Sequence, residues 1–317
     1  MSKLKTIFFG TPEVSVPYLE LVHQLTDVQL VVTQADKPRG RGMVITPCPV
    51  KQRALQLGLP VRSPEKMKDI FDEVRQIPFD LGIAVAFGKI FRPDFLALPK
   101  LGILNVHFSL LPLLRGAAPV QHSLFQDFKK TGVSVFWIEP GLDDGPLFLQ
   151  KEISVDPQDN AETLFQKLIP LGKTALQEAL QQITMGQLVK TPQKGTPTLA
   201  PMITKEEAVL SFQKMTAEQI HHKVRGLACG PKARTTVSLN GKTELLQMLR
   251  TALPPTEPDT HAAPGTVLAV ESQKGILVKC KQGNLWITEV HPAGKKPMSA
   301  AAFANGRAIK PGMGVFA

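Results

Sequence analysis

Two polar residues with complementary chemistry, Asn105 and His107, lie two positions apart at the end of an apolar run. Alternate side chains of a β-strand point to the same face, so an amide and an imidazole would share one side of a sheet. A carboxylate, Asp143, follows the next apolar run in the sequence GLDDG. If these runs are adjacent parallel strands, their ends meet at one crevice. Such a set suits acyl transfer, because the amide and imidazole can hold an oxyanion while the carboxylate orients or charges the imidazole.

Each of these residues also has a purely structural interpretation. A histidine at the end of a strand is often a packing residue, and aspartate in a glycine-rich turn often serves the turn alone. Residue types and spacing therefore leave both interpretations open at this point.

The elements that would carry these residues alternate between strands and helices. Continuous apolar runs at 6–10, 28–33, 81–86, 102–107 and 133–138 are typical of buried strands, and helical patterns at 17–25, 50–57 and 120–125 lie between them. This order predicts a doubly wound α/β domain with a mostly parallel sheet. Ligands of such sheets bind beyond the carboxyl ends of the strands, which is where Asn105 and His107 would lie.

The rest of the chain predicts a second, smaller domain. A helical pattern at 160–185, which Pro170 should kink or break, leads into a segment rich in Pro, Thr and Gly. Further on, Asn240-Gly241 predicts a tight hairpin turn, and the short apolar runs that follow predict a small β-barrel. We therefore expect domains at 1–189 and 207–317, joined by a linker at 190–206.

Composition excludes several classes of protein. The 317 residues are 43% hydrophobic and 20% charged, as in ordered globular proteins, and only 6% aromatic, which disfavours a stacking platform for single-stranded nucleic acid. No apolar run reaches the roughly 18 residues that cross a bilayer, and the N-terminal residues do not resemble a secretory signal. We therefore expect no membrane association.

The cysteine and glycine patterns argue against further classes of protein. The three cysteines, at 48, 229 and 280, lack CxxC spacing, so we expect a reducing compartment, no disulfide and no metal site. Only Gly10 stands where a dinucleotide fingerprint needs three glycines, which disfavours an NAD-type oxidoreductase, and no P-loop occurs.

The net charge of +10 is unevenly distributed. Residues 207–317 carry 14 Lys+Arg and 7 Asp+Glu, a net +7, whereas residues 1–206 carry 23 basic and 20 acidic residues, a net +3. A basic surface can simply improve solubility. It can also bind a polyanion, because phosphate neutralisation drives such binding without any sequence code.

The residues around the polar set resemble a known family. The sequence NVHFSLLPLLRGAAP at 105–119, with GLDDGP at 141–146, is similar to the signature of the formyltetrahydrofolate-dependent formyltransferases, N-x-H, SLLPxxRGxxP and LDTG. The resemblance implies a formyltransferase-like Rossmann variant, 10-formyltetrahydrofolate as co-substrate, and catalytic roles for Asn105, His107 and Asp143. It also implies that folate lies along two stretches, whose residues are Phe87, Gly88, Ile90, Ser109, Leu110, Leu111 and Pro112.

Three further stretches resemble the members of this family that act on methionyl initiator tRNA. Residues 8–22 resemble their first strand and helix, residues 33–51 a basic loop that enters the tRNA acceptor end, and residues 291–306 an OB-like domain that contacts tRNA. Nothing in the sequence demands more than a monomer. A bacterial cytoplasm and an organelle matrix would both fit, and the lack of an Arg- and Ser-rich leader favours the cytoplasm. The tRNA contacts that the resemblance implies are Lys37, Arg39, Arg41, Lys295 and Lys296.

The family's chemistry implies a role for each catalytic residue. The α-amine of methionine on the tRNA attacks the formyl carbon, Asn105 and a protonated His107 hold the oxyanion, and Asp143 favours the imidazolium. The chain departs from the family where Asp144 replaces Thr, Leu113-Leu114 replace a basic-aromatic pair, and residues 227–231 replace a Pro-Trp-Pro-Gly turn. Asp144 would place a second carboxylate beside Asp143, and the sequence leaves its effect on the electrostatics of the site open.

Two other functions fit parts of the sequence. One is formyl transfer to a sugar nucleotide or another small amine, and the other is tRNA binding without catalysis. A small acceptor needs neither the basic loop nor the +7 domain, and a pure binding protein needs no Asn105, His107 and Asp143 set. These features favour transfer of the formyl group to the α-amine of methionyl initiator tRNA.

Overall fold

The chain forms two compact units. The computed structural model describes residues 3–39, 44–239, 241–255 and 261–317. The first unit comprises Met1–Pro119, Lys130–Ser154 and Phe165–Pro201, and the second comprises Val120–Lys129, Val155–Leu164 and Met202–Ala317. The domain limits that we drew from the sequence, 1–189 and 207–317, stay a prediction.

A seven-stranded sheet forms the centre of the first unit. Its strands are β1 (Lys5–Gly10), β2 (Asp27–Val32), β5 (Val61–Arg62), β6 (Leu81–Val85), β7 (Ile103–His107), β8 (Lys130–Trp137) and β9 (Leu147–Ser154), while β3 (Lys37–Arg39) and β4 (Val44–Thr46) form a separate hairpin. The order is β5-β2-β1-β6-β7-β8-β9. The strands from β5 to β7 are parallel, and the predicted α/β fold with a mostly parallel sheet is confirmed.

Among the described residues, six α-helices lie wholly or partly within the first 184 residues. They are α1 (Val16–Leu25), α2 (Pro49–Gln56), α3 (Phe71–Gln76), α4 (Pro93–Leu96), α5 (Pro119–Phe125) and α6 (Ala161–Thr184). Proline stands at the first turn of α1 and α2, where its missing N–H has no helical partner to lose. Helix α6 continues through Pro170 without a break, and Tyr18 donates to the carbonyl oxygen of Ile169 at 3.1 Å.

The strands that carry the polar set are antiparallel, not parallel. Strand β8 pairs with β7 in opposite directions, so Ser134 is opposite His107 and Trp137 is opposite Leu104. Our expectation that two parallel strand ends bring Asp143 to His107 was therefore wrong. The loops at 108–118 and 138–146 meet instead, and they bring Asp143 to the end of β7.

The second unit is built around an antiparallel sheet, in agreement with the predicted small β-barrel. Its elements are α7 (Ala217–Gly226), β10 (Arg234–Leu239), β11 (Lys242–Ala252), β12 (Val267–Glu271), β13 (Gly275–Lys279), β14 (Asn284–Pro292), β15 (Met298–Ser299) and α8 (Ala300–Gly306). The strand order is β10-β11-β14-β13-β12, with β15 on β14. The last residues bridge both edges, since Phe316 pairs with Val237 and Gly314 with Thr266. This closure is consistent with the predicted OB-like domain.

The predicted hairpin turn lies between β10 and β11. Leu239 pairs with Lys242, so the loop has the two-residue length that the sequence indicated. Gly241 has a φ of 74°, which a glycine adopts without strain. Asn240 lies outside the described residues.

Candidate active site

His107 ends β7 and is almost fully buried, with 5% of its surface exposed. Its Nε2 lies 2.9 Å from the carbonyl oxygen of Leu114. A carbonyl oxygen can only accept, so Nε2 must carry the hydrogen. The neutral ring therefore has its lone pair on Nδ1. This tautomer leaves Nδ1 as the ring atom that can take up a proton.

Asp143 faces this second ring nitrogen. Its Oδ2 lies 3.7 Å from Nδ1 of His107, and the same oxygen accepts the backbone N–H of Gly116 at 2.8 Å. Asp143 has a φ of 47°, a left-handed conformation that few residues other than glycine adopt. Gly116 has a φ of 120° and lies against the carbonyl oxygen of Ala200, so no side chain fits there. The carboxylate is thus held in place beside the ring.

Burial decides the charge of His107 in the free protein. Loss of solvation lowers the pKa of His107 below its ordinary value, while Asp143 and the Leu114 carbonyl raise it only in part. The neutral ring is therefore favoured at neutral pH. Asp143 raises the pKa of His107, as the sequence analysis expected, but burial lowers it more. A protonated His107 as the partner of the oxyanion stays a prediction.

Asn105 lies in the same strand and, by alternation, on the same face as His107. It pairs in register with Ala84 of β6 and Phe136 of β8, so its backbone is fixed in the middle of the sheet. Its residue is half-buried, and its side-chain amide makes no hydrogen bond to the described part of the chain. The amide N–H groups are therefore available to a ligand.

Asp144 does not join this group. It is exposed, and its carboxylate packs over the backbone of Gly141. The carboxylate that acts on the pKa of His107 is that of Asp143. No described contact joins the Asp144 carboxylate to His107, so the structure assigns it no part in the charge of the ring.

The predicted folate stretch at 109–112 forms a rigid loop. The Oγ of Ser134, fully buried, donates to the carbonyl oxygen of Ser109 at 2.6 Å and accepts the N–H of Leu111 at 3.0 Å. Gln150 donates to the carbonyl oxygen of Leu111 at 2.9 Å, and the Leu111-Pro112 peptide is cis. Leu110 is half-buried in this loop, while Leu111 and Pro112 are buried.

The second predicted folate stretch follows β6. The ring of Phe87 packs in the core against Phe9 and Phe91, whereas Gly88 is exposed with a φ of 70° and Ile90 is 85% exposed. Gln34 donates to the carbonyl oxygen of Phe87 at 2.8 Å. The stretch therefore offers backbone and the Ile90 side chain to a ligand, and keeps the Phe87 ring inside.

The residues predicted to contact tRNA are exposed wherever the structure describes them. Lys37 begins β3, and Lys295 and Lys296 lie in the turn between β14 and β15. Arg41 and the side chain of Arg39 lie outside the described residues. Their roles stay predictions.

Sequence reasoning missed the role of residues 189–200, most of which it assigned to the linker at 190–206. Gln193 donates through Nε2 to the carbonyl oxygens of Asp143 at 2.8 Å and Gly145 at 2.9 Å. Its Oε1 accepts from Nε and one terminal nitrogen of Arg115 at 3.2 and 2.6 Å. A segment rich in Pro, Thr and Gly has no apolar periodicity, so the sequence contains no signal for these contacts.

The described ranges also show whether a metal cluster or a membrane-spanning helix is present. No cluster of three or more His, Cys, Asp or Glu side chains there has an arrangement that could hold a metal ion. Within the same ranges, no helix combines the length and the apolar character that crossing a membrane requires.

Comparison with known proteins decides the family. A sequence profile described as formyl transferase matches residues 6–180, and one described as formyl transferase, C-terminal domain, matches residues 202–308. The chain belongs to the formyl transferase family. The resemblance read from the sequence is thereby confirmed, and the protein is a formyltransferase.

Two curated relatives within the family match this formyltransferase over its whole length. A methionyl-tRNA formyltransferase of Elusimicrobium minutum is 50% identical, with 99% of this chain and 100% of the relative covered. A methionyl-tRNA formyltransferase of Thermodesulfovibrio yellowstonii is 39% identical, with 98% of each covered.

A solved structure of another formyl transferase shares the fold. It is a sugar 3N-formyl transferase in the presence of dTDP and 5-N-formyl-THF, with a TM-score of 0.66 at 15% identity over 93% of this chain and 100% of that one. At this identity the likeness concerns the fold alone.

Proposed function

We propose that the protein transfers a formyl group from 10-formyltetrahydrofolate to the α-amine of methionine on initiator tRNA. The observation that carries the proposal is the pairing of a buried His107, whose Nδ1 has a lone pair, with the fixed carboxylate of Asp143 at 3.7 Å. Full-length relatives that bear the name methionyl-tRNA formyltransferase support tRNA as the acceptor.

The site residues divide the work of acyl transfer. An α-amine titrates near pH ~8, so a useful fraction is already a neutral nucleophile. Asn105 donates its amide N–H to the formyl oxygen as that oxygen becomes negative during attack. Nδ1 of His107 takes the proton of the amine, and the imidazolium that forms lies between the Asp143 carboxylate and the Leu114 carbonyl oxygen. His107 then gives the proton to the departing nitrogen.

The proposed donor fits the described surface next to this site. When bound, 10-formyltetrahydrofolate supplies the formyl group. Gly88 leaves its backbone open to close approach, Ile90 offers an exposed apolar side chain, and Leu110 is half-buried in the loop that Ser134 fixes. These residues could hold a flat, partly apolar molecule.

The proposed acceptor accounts for the basic surface. Lys295 and Lys296 are exposed in one turn of a unit that is rich in positive charge, and Lys37 is exposed at the base of the predicted acceptor-binding loop. We include Arg39 and Arg41 in the proposed tRNA contacts on the basis of their sequence. We further propose that the protein acts in the bacterial cytoplasm, since its full-length relatives are bacterial and charged tRNA is used where translation takes place. We propose a monomer because no described residue calls for a second copy at the site.

A direct assay tests the proposal. The protein is incubated with 10-formyltetrahydrofolate and methionyl initiator tRNA, and formylmethionyl-tRNA is separated on acid gels. An amino sugar nucleotide replaces the tRNA in a parallel reaction. We expect product with the tRNA only. Product from the sugar nucleotide alone would overturn the proposed acceptor and favour the small-amine alternative.

The tRNA contacts are tested by salt dependence. Lys295→Ala, Lys296→Ala and Arg41→Ala should each raise KM for tRNA and flatten its dependence on salt, because each removes a phosphate neutralisation. Lys3→Ala, which removes an exposed lysine outside the proposed contacts, is the control. An unchanged salt slope in all three variants would contradict the proposed tRNA surface.

A further inference from the structure

The two polar contacts described for the His107 ring come from residues with unusual backbone conformations. Leu114, which accepts the Nε2 hydrogen, has a φ of 60°, and Asp143, which faces Nδ1, has a φ of 47°. Left-handed backbone is unfavourable for a leucine and persists only where the surroundings impose it. Something must therefore hold both residues in place.

One segment, residues 189–200, contacts both of them, and we call it the clasp. On one side, the side-chain amide of Gln193 donates hydrogen bonds to the carbonyl oxygens of Asp143 and Gly145. On the other side, the Oγ1 of Thr198 accepts the N–H of Leu114 at 2.8 Å. Each left-handed residue is thus tied through its own backbone to a side chain of the clasp.

The clasp is itself fixed to the rest of the first unit. Arg115 donates to Oε1 of Gln193 through two nitrogens and pairs through its backbone with Leu199. Thr191 exchanges two backbone hydrogen bonds with Leu147 at the start of β9. Trp137 donates its indole N–H to the carbonyl oxygen of Val189 at 2.7 Å. The clasp therefore links the loop after β7 to the loop after β8.

We propose that Gln193 and Thr198 are positioning residues for His107, since they hold Asp143 and Leu114 in the conformations that place a carboxylate and a carbonyl oxygen at its two ring nitrogens. Neither side chain reaches the ring. Both act through the residue that does. The inference has two parts. The conformational part, that the clasp sets the surroundings and the pKa of His107, concerns the free protein. The kinetic part, that the clasp thereby supports kcat, rests on the proposed function.

The conformational part is tested by the titration of His107. The groups that face the ring are the Asp143 carboxylate, the Leu114 carbonyl oxygen and the Phe136 ring, and of these Asp143 carries charge. The protein is labelled with 13C-histidine, and His107→Gln assigns the His107 signal among the seven histidines. Gln193→Ala should lower the pKa of His107 towards the value in Asp143→Asn, because the carboxylate is no longer held nearby. Gln187→Ala, an exposed glutamine upstream of the clasp, should titrate as the wild type.

Matched variants test the effects of Gln193 and Thr198 on kcat one at a time. Gln193→Glu keeps the acceptor for Arg115 but loses both donors, and should lower kcat by about tenfold or more, as Gln193→Ala does, with KM little changed. Thr198→Val removes the acceptor and should also lower kcat, whereas Thr198→Ser keeps a hydroxyl and should restore it. Thr196→Val, at an exposed threonine two residues away, should behave as the wild type.

The outcomes are distinguishable from failure of the proposed function. If the wild-type protein does not formylate methionyl-tRNA, the proposed function fails, and the histidine titration still tests the clasp. If Gln193→Ala leaves the His107 titration unchanged, or if Thr196→Val loses as much kcat as Thr198→Val, the clasp does not position His107 and the inference is overturned.

Discussion

The Asp143→Asn variant tests the electrostatic part of the mechanism with little change in shape. Asparagine has the size of aspartate, is tolerated in left-handed backbone, and can still accept the Gly116 N–H through its amide oxygen. The substitution therefore removes the charge beside His107 and preserves the loop. It should act on the step in which His107 becomes positive.

The structure sets the size of the effect. Two unit charges 3.7 Å apart attract by about 4 kcal/mol at an effective dielectric constant of about 20. That energy corresponds to a factor of about 1000 in the ease of protonating the ring. Asp143 is 19% exposed and shares its charge with the Gly116 N–H, so we expect a fall in kcat of about 100-fold.

The assay is the rate of formylmethionyl-tRNA formation at saturating substrates between pH 5 and 8. Without the carboxylate, the pKa of His107 falls further below its ordinary value, so the acid limb of the kcat profile moves to lower pH while the plateau falls. KM for both substrates should stay close to that of the wild type. A plateau within about threefold of the wild type would refute the assigned role of Asp143, since that is less than 1 kcal/mol.

Three further substitutions follow from the same structure. Asn105→Ala removes the amide that faces the developing oxyanion and should lower kcat by about 100-fold with circular dichroism unchanged, whereas a loss confined to KM would contradict this role. Ser134→Ala leaves the Leu111 N–H and the Ser109 carbonyl oxygen buried without their partner and should lower the free energy of unfolding in urea by about 3 kcal/mol; a change below about 0.5 kcal/mol would contradict it. Burial and the nearby Arg225 and His222 lower the pKa of His221 to about 4. The unfolded chain takes up this proton near pH ~6.5, so the stability that the neutral His221 allows is complete above that pH and is lost as pH falls towards 4. His221→Gln should reduce that loss by about 2 kcal/mol, and identical pH dependence of unfolding in both proteins would show that His221 is not responsible.

The sequence predicted the parallel part of the fold because buried strands have a plain signature. Continuous apolar runs such as β6 and β7 can be stable only with both faces covered, and the hairpin at Asn240-Gly241 follows from turn chemistry. Strand direction has no such signature. An apolar run reads the same in either direction, so the antiparallel pairing of β8 with β7 could not be predicted.

The candidate site was predictable in its residue types but not in its geometry. Spacing placed Asn105 and His107 on one face, the turn after the next apolar run supplied Asp143, and resemblance to the family favoured a catalytic role for all three. The charge of His107 depends on complete burial, which results from many residues that are distant in the sequence. The clasp was missed for a related reason. Its contacts join side-chain amides and hydroxyls to backbone carbonyl and N–H groups, and such contacts leave no hydrophobic pattern.

The most direct measurement is the single-turnover rate of formyl transfer by His107→Gln, taken together with its affinity for methionyl initiator tRNA. If His107 accepts the proton of the attacking amine, the rate falls by at least about 100-fold while tRNA affinity and melting temperature stay close to those of the wild type. A near-normal rate in a folded, tRNA-binding His107→Gln protein would contradict the mechanism.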